Sequence, residues 1–148
     1  MRRLAATAIA ALLSAGQAVA LQIESIEAKV FLSYSAALSQ NVAEGSGVNL
    51  WNTVIGEGEI NEPAQDVLII VTVSADPGSF DAGTLQISVT GSEGEMVASR
   101  TLEGLLIGPE GKVATAVYVE HATCTALTVK ASVGKSEKTV GVPFACGE

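Results

Sequence analysis

The residues of this chain that could do chemistry are few: two cysteines, one histidine, one tryptophan and sixteen acidic side chains. Cys124 and Cys146 are separated by 21 residues and do not form a CxxC pair, so the spacing does not suggest a redox-active dithiol. Their expected chemistry is a structural disulfide. His121 lies on the turn before Cys124. A nucleophilic triad would need it beside an acid and a Ser or Thr, and no GxSxG elbow marks a serine. A lone turn histidine is more simply a surface residue, and one histidine cannot build a His-rich zinc site. Gly134-Lys135-Ser136 resembles the end of a phosphate-binding loop, but the glycine required five positions earlier is Val129. The stretch also falls on a hairpin with no helix after it, so the pattern is rejected.

The acids are the harder case. Glu57, Glu59, Asn61, Glu62 and Asp66 cluster, Asp76 and Asp81 follow in the next loop, and Glu93 and Glu95 in a third. Loops gathered at one end of a β-sandwich can pool carboxylates around calcium. The spacing is generic and lacks the EF-hand pattern. Solvated acidic loops are therefore the plainer expectation, with Glu57, Glu59, Asp66, Asp76 and Asp81 as the weak calcium candidates. No other cofactor is implied. Trp51 is the only tryptophan, set among Gly and Glu. Such an aromatic serves as an interaction anchor or as a plug fixing its own loop.

The elements that must position these residues begin after a leader. Arg2 and Arg3, the uncharged stretch Leu4 to Leu13 and Ala18-Val19-Ala20 have the order of a secretory signal with a small-x-small cleavage site. Residues 1–20 are read as that signal and 21–148 as one domain. The signal's apolar run falls short of the ~20 residues that span a bilayer, and the remainder contains no such run. Loss of the two leader arginines takes the net charge from −8 to −10, because the leader holds no acid. A chain so acidic is repelled by nucleic acid and by anionic lipid. Export also favours the Cys124–Cys146 disulfide.

Within 21–148, short β-rich runs recur between Gly and Pro breaks. Residues 21–34 read as a long first strand, with Ile26, Ala28, Val30, Leu32 and Tyr34 on one parity, Glu27, Lys29 and Ser33 on the other, and Phe31 as the exception. Residues 35–42 are ambiguous, a helical turn or an irregular strand. Residues 43–63 read as a long loop, with Val54-Ile55 as a candidate short strand. Val67 to Val73 is a β-branched run, which means burial on both faces or a central place in a sheet. Strands over 84–90, 96–102, 112–120, 124–133 and 138–144 come next, with turns at 91–94, 108–111 and 134–137.

About seven strands with regular turns imply an all-β chain: an antiparallel two-sheet sandwich of immunoglobulin-like type, or a small barrel. For the last hairpin two registers compete. A three-residue loop sets Cys124 opposite Cys146; a two-residue Gly134-Lys135 loop sets Val140 and Val142 opposite Val129 and Leu127. The expected role is an exported, non-enzymatic binding module of the periplasm or exterior, with a protein or surface partner. The alternatives are a calcium-binding sandwich, a fibre subunit that donates its first strand to a neighbour, and, least favoured, an enzyme with an unmarked site.

Overall fold

A computed structural model of the chain describes residues 20–43, 48–50, 60, 62–122 and 126–146. The leader up to residue 19, Trp51, Val54-Ile55, Glu57, Glu59, Asn61 and Cys124 lie outside the described residues, as does the side chain of Cys146. The expected disulfide therefore falls outside them too.

The chain forms β1 (Gln22–Leu32), β2 (Ala37–Leu38), β3 (Val48–Leu50), β4 (Val67–Ser74), β5 (Phe80–Thr90), β6 (Met96–Leu106), β7 (Lys112–Val119), β8 (Leu127–Val133), β9 (Ser136–Val142) and β10 (Phe144–Cys146). Two four-stranded sheets carry the fold, with orders β2-β1-β4-β7 and β6-β5-β8-β9. Every pairing within them is antiparallel. With the two-residue β2 set aside, the seven long strands make an immunoglobulin-like sandwich. It departs from the constant-type arrangement at one strand. There the fourth strand pairs in the sheet of the first; here β6, the fourth long strand, pairs with β5 in the other sheet.

β4 is the centre of its sheet, held along its length by β1 and β7. Val67, Ile69, Val71 and Val73 are buried, whereas Leu68, Ile70, Thr72 and Ser74 are half-buried. The β-branched run thus marks a central position and not burial on both faces. β5 and β8 fill the opposite layer with Leu85, Ile87, Val89, Val129, Ala131 and Val133. Among the described residues no polar or charged residue is buried. Burying an unpaired polar group costs free energy that an aliphatic core avoids.

The β8–β9 hairpin adopts the two-residue loop. Leu127 pairs with Val142 and Val129 with Val140, all four buried. Gly134 takes φ 57°, the positive value that the first position of such a tight hairpin turn demands. The register that opposes the two cysteines directly is not formed. Pro143 then ends β9 because it lacks an N–H to donate. β10 departs to pair in parallel with β3, setting Cys146 opposite Leu50. The strand expected over 138–144 is accordingly β9, which stops at Val142, while Phe144 opens β10; part of the expected loop over 43–63 is strand.

Candidate functional sites

The structure does not gather the described acids at one place. Asp66 precedes β4 and Asp76 follows it. Eight strand residues at about 3.3 Å each set the two roughly 26 Å apart, at opposite ends of the sandwich. Asp81 lies at the Asp76 end, at the start of β5. Its Oδ1 accepts the Gly83 N–H at 2.6 Å, an Asx turn at the bulge of that strand. The Asp76 carbonyl accepts the N–H and the Oγ of Ser79 at 3.2 and 2.6 Å. Among the described residues, no three His, Cys, Asp or Glu side chains converge on a point that could hold a metal ion.

Asp66 and His121 do meet, in a structural arrangement. The Tyr118 hydroxyl donates to Asp66 Oδ2 at 2.6 Å, and the His121 backbone N–H donates to Oδ1 at 3.1 Å. Beside them the Ala122 N–H donates to the Gln65 carbonyl at 2.8 Å. These bonds clamp the turn after β7 to the start of β4. They hold His121 at φ 53°, a left-handed conformation costly for a side-chain residue. The carboxylate binds a main-chain N–H and a phenol, not an imidazole ring paired to a Ser or Thr. Glu62 does the same for the turn after β1, accepting the N–H groups of Tyr34 and Ser35 at 2.7 and 2.8 Å and the Ser35 hydroxyl at 2.8 Å.

The Tyr118 hydrogen bond, aided by the His121 N–H, lowers the pKa of Asp66, and the same bond to Asp66 raises that of Tyr118. A depressed carboxylate stabilises the fold above its unfolded value of about 3.9, and that contribution is lost as the pH falls through the lower folded value. The raised phenol contributes below about 10, and its share is lost as the pH rises through the higher folded value. Tyr118→Phe should therefore lower the melting temperature at pH 7 and flatten its fall on both flanks, below pH 4 and above pH 10. Melting curves across that range check it; a variant whose profile parallels wild type on both flanks would refute the clamp.

The outer face of the second sheet carries a shallow open depression of about 330 Å³ between Gln86, Ser88, Ser99, Thr101, Lys130 and Ser132. Lys130 is paired with Glu137 at 2.9 Å. This is the polar, solvated outer face that a sandwich sheet is expected to present.

The sheet edges differ from one another far more. The free edge of β1 is covered by side chains that stand in for a neighbouring strand. Ser39 Oγ and Asn41 Oδ1 accept the N–H groups of Val30 and Ala28, each at 2.9 Å. The N–H groups of Ser39 and Val42 donate to the carbonyls of Val30 and Ala28 at 2.9 and 2.8 Å. Near the N-terminus the β1–β4 register breaks between Ile23 and Ser25, which turns β1 toward β9. There Ser136 Oγ accepts the Ile23 N–H at 2.9 Å, and Lys138 Nζ donates to the Glu24 carbonyl at 3.4 Å. β1 is thus paired with β4 within its own chain, and its other side is covered at Ile23, Ala28 and Val30.

β6 and β7 end their sheets on the opposite side of the sandwich. Arg100 Nη1 reaches from the one to the other and donates to the Ala116 carbonyl at 2.5 Å. β6 is eleven residues long and mostly exposed. Met96, Val97 and Leu106 on it are 61, 39 and 70 % exposed, and Phe80, the cross-strand partner of Leu106, is 69 % exposed. The Phe80 ring lies against the bare Cα of Gly104, whose φ is 74°. Nothing in the sequence singled out these residues, because edge position depends on strand order. The signal available was four large apolar residues on the polar parity or at the ends of 80–106.

No helix among the described residues is long and apolar enough to cross a membrane. No family model matches the chain, and no curated protein matches it significantly. Solved structures similar to it include a β-glucuronidase from Bifidobacterium dentium in complex with coumarin-3-O-glucuronide. The match has 13 % identity and a TM-score of 0.46, over 85 % of this chain and 18 % of that one. A second is a β-glucuronidase from glycoside hydrolase family 2, at 12 % identity and TM-score 0.42, over 84 % and 12 %. A third is a glycosyl hydrolase family 2 member from Bacteroides cellulosilyticus, at 10 % identity and TM-score 0.42, over 73 % and 18 %. The chain spans less than a fifth of the length of these enzymes.

Proposed function

We propose that the chain is an exported, non-enzymatic β-sandwich that works as an interaction module in the periplasm or outside the cell. The observation that carries this reading is the unequal treatment of the edges among the described residues: β1 is covered by Ser39, Asn41, Ser136 and Lys138, whereas β6 is left open beside exposed apolar residues. Unpaired strand edges invite association, and folds ordinarily blunt them. Supporting it are the leader pattern of residues 1–20 and the acidity of residues 21–148. In an oxidising compartment the Cys124–Cys146 disulfide is part of the same reading.

The test is site-specific photo-crosslinking in the producing cell. A photoreactive residue at Val97 should give discrete adducts of higher mass in exported material. The same residue at Thr139, exposed on β9, should give none. Absence of adducts at Val97, or equal adducts at both positions, would refute the module reading.

A further inference from the structure

Resting on that reading, we propose that β6 is a strand-addition site for an extended, basic segment of a partner protein. Strand addition needs an unpaired backbone edge, pockets or platforms for alternate side chains, and a reason for the right partner to approach. Among the described residues, β6 meets the first condition. It is terminal in its sheet, and at about 3.3 Å per residue its eleven residues offer roughly 36 Å of edge. The exposed side chains meet the second. Val97 stands near one end of the strand, and Leu106 with Phe80 near the other, so an alternating segment meets apolar surface at both ends.

Charge selects the partner. Along β6, its cross-strand neighbours and the turns at its ends lie Asp81, Glu93, Glu95, Glu103 and Glu110. The one cation on the strand is Arg100, which is turned to the Ala116 carbonyl, and Lys112 beyond the turn pairs with Glu24. The whole chain is acidic as well, at −8. A second copy would bring the same acids to the same edge, and like charges set against each other oppose association. A segment with lysine or arginine on one parity and apolar residues on the other is attracted instead.

The probe is the nine-residue peptide acetyl-Lys-Val-Lys-Val-Thr-Val-Lys-Val-Lys-amide, with the peptide carrying Glu for every Lys as its opposite. Amide hydrogen exchange of the protein is read with each. The basic peptide should slow exchange of the β6 amides at least tenfold and leave those of β9 unchanged; the acidic one should do neither. Val97→Lys with Leu106→Lys should abolish the protection, while the melting temperature stays within a few degrees because both side chains are exposed. Unchanged β6 exchange, equal protection by both peptides, or protection outside β6 overturns the proposal. So does concentration-dependent dimerisation that protects β6 without peptide, since it makes the occupant a second copy. Crosslinks from Val97 that persist when the basic peptide fails would leave the module reading standing and remove only the basic segment.

Discussion

Ile69→Asp is expected to unfold the domain, and Ile70→Asp is not. The two positions are adjacent on β4, but Ile69 is fully buried between the sheets and Ile70 is half-buried on the outer face. At Ile69 the carboxylate would have neither water nor a buried partner, because no polar residue is buried among the described ones. An unpaired buried charge plus the lost aliphatic contacts costs several kcal/mol, a large part of a stability of about 5 to 15 kcal/mol. At Ile70 the carboxylate stays hydrated. Its penalty is the lost cross-strand contact with Ala116 and the like charge of Glu27 directly opposite, roughly 1 kcal/mol. For a domain of this size that is a fall of about 4 °C. Far-UV circular dichroism and thermal melts separate the two. A folded Ile69→Asp, or an Ile70→Asp that unfolds, would mean the core lies on the other face of β4.

The contrast shows which parts of this fold a sequence can reveal. Runs such as 67–73 and the alternation of Ile26, Ala28 and Val30 are legible because burial repeats every second residue. The β8–β9 register is one of the two that the sequence allows, and it follows the apolar pairing of Leu127 and Val129 with Val142 and Val140. The turns at 91–94 and 108–111 are legible from their glycines and Pro109, whereas β5 and β6 run four residues beyond the expected 84–90 and 96–102, across the bulge between Asp81 and Thr84 where the alternation breaks. Residues 39–43 are not legible. They run beside β1, but Ser39 and Asn41 replace backbone partners with side-chain ones, so no hydrophobic alternation marks them. The parallel pairing of β10 with β3 is equally hidden, since it joins two three-residue strands distant in sequence. Of the candidate site residues, proximity of Asp66 to His121 is not readable, and it depends on the end of β7 meeting the start of β4. The exposure of Met96, Val97 and Leu106 becomes meaningful only once β6 is known to be an edge.

The guard on β1 gives the second large expected effect. Ser39→Ala with Asn41→Ala removes the acceptors of the Val30 and Ala28 N–H groups, and both of those residues are fully buried. An N–H left unsatisfied in such a place costs about 1 to 3 kcal/mol. The two sites are neighbours and share a segment, so their effects need not add. A combined loss of about 2 to 5 kcal/mol predicts a melting temperature lower by on the order of 10 °C. The uncovered edge also becomes a template for pairing with another chain. Sedimentation velocity should therefore show concentration-dependent association that wild type lacks at that edge. The conservative variants separate this from a general packing defect. Among the described residues Asn41 acts through Oδ1, which accepts from both Ala28 and Ala43. Asn41→Asp keeps that acceptor, and Ser39→Thr keeps the hydroxyl, so the pair should restore most of the stability and suppress association. If the double alanine variant melts within about 2 °C of wild type, or if Asn41→Asp with Ser39→Thr behaves like it, side-chain cover is not what protects β1. The unequal edges would then lose their meaning for how this domain meets its partner.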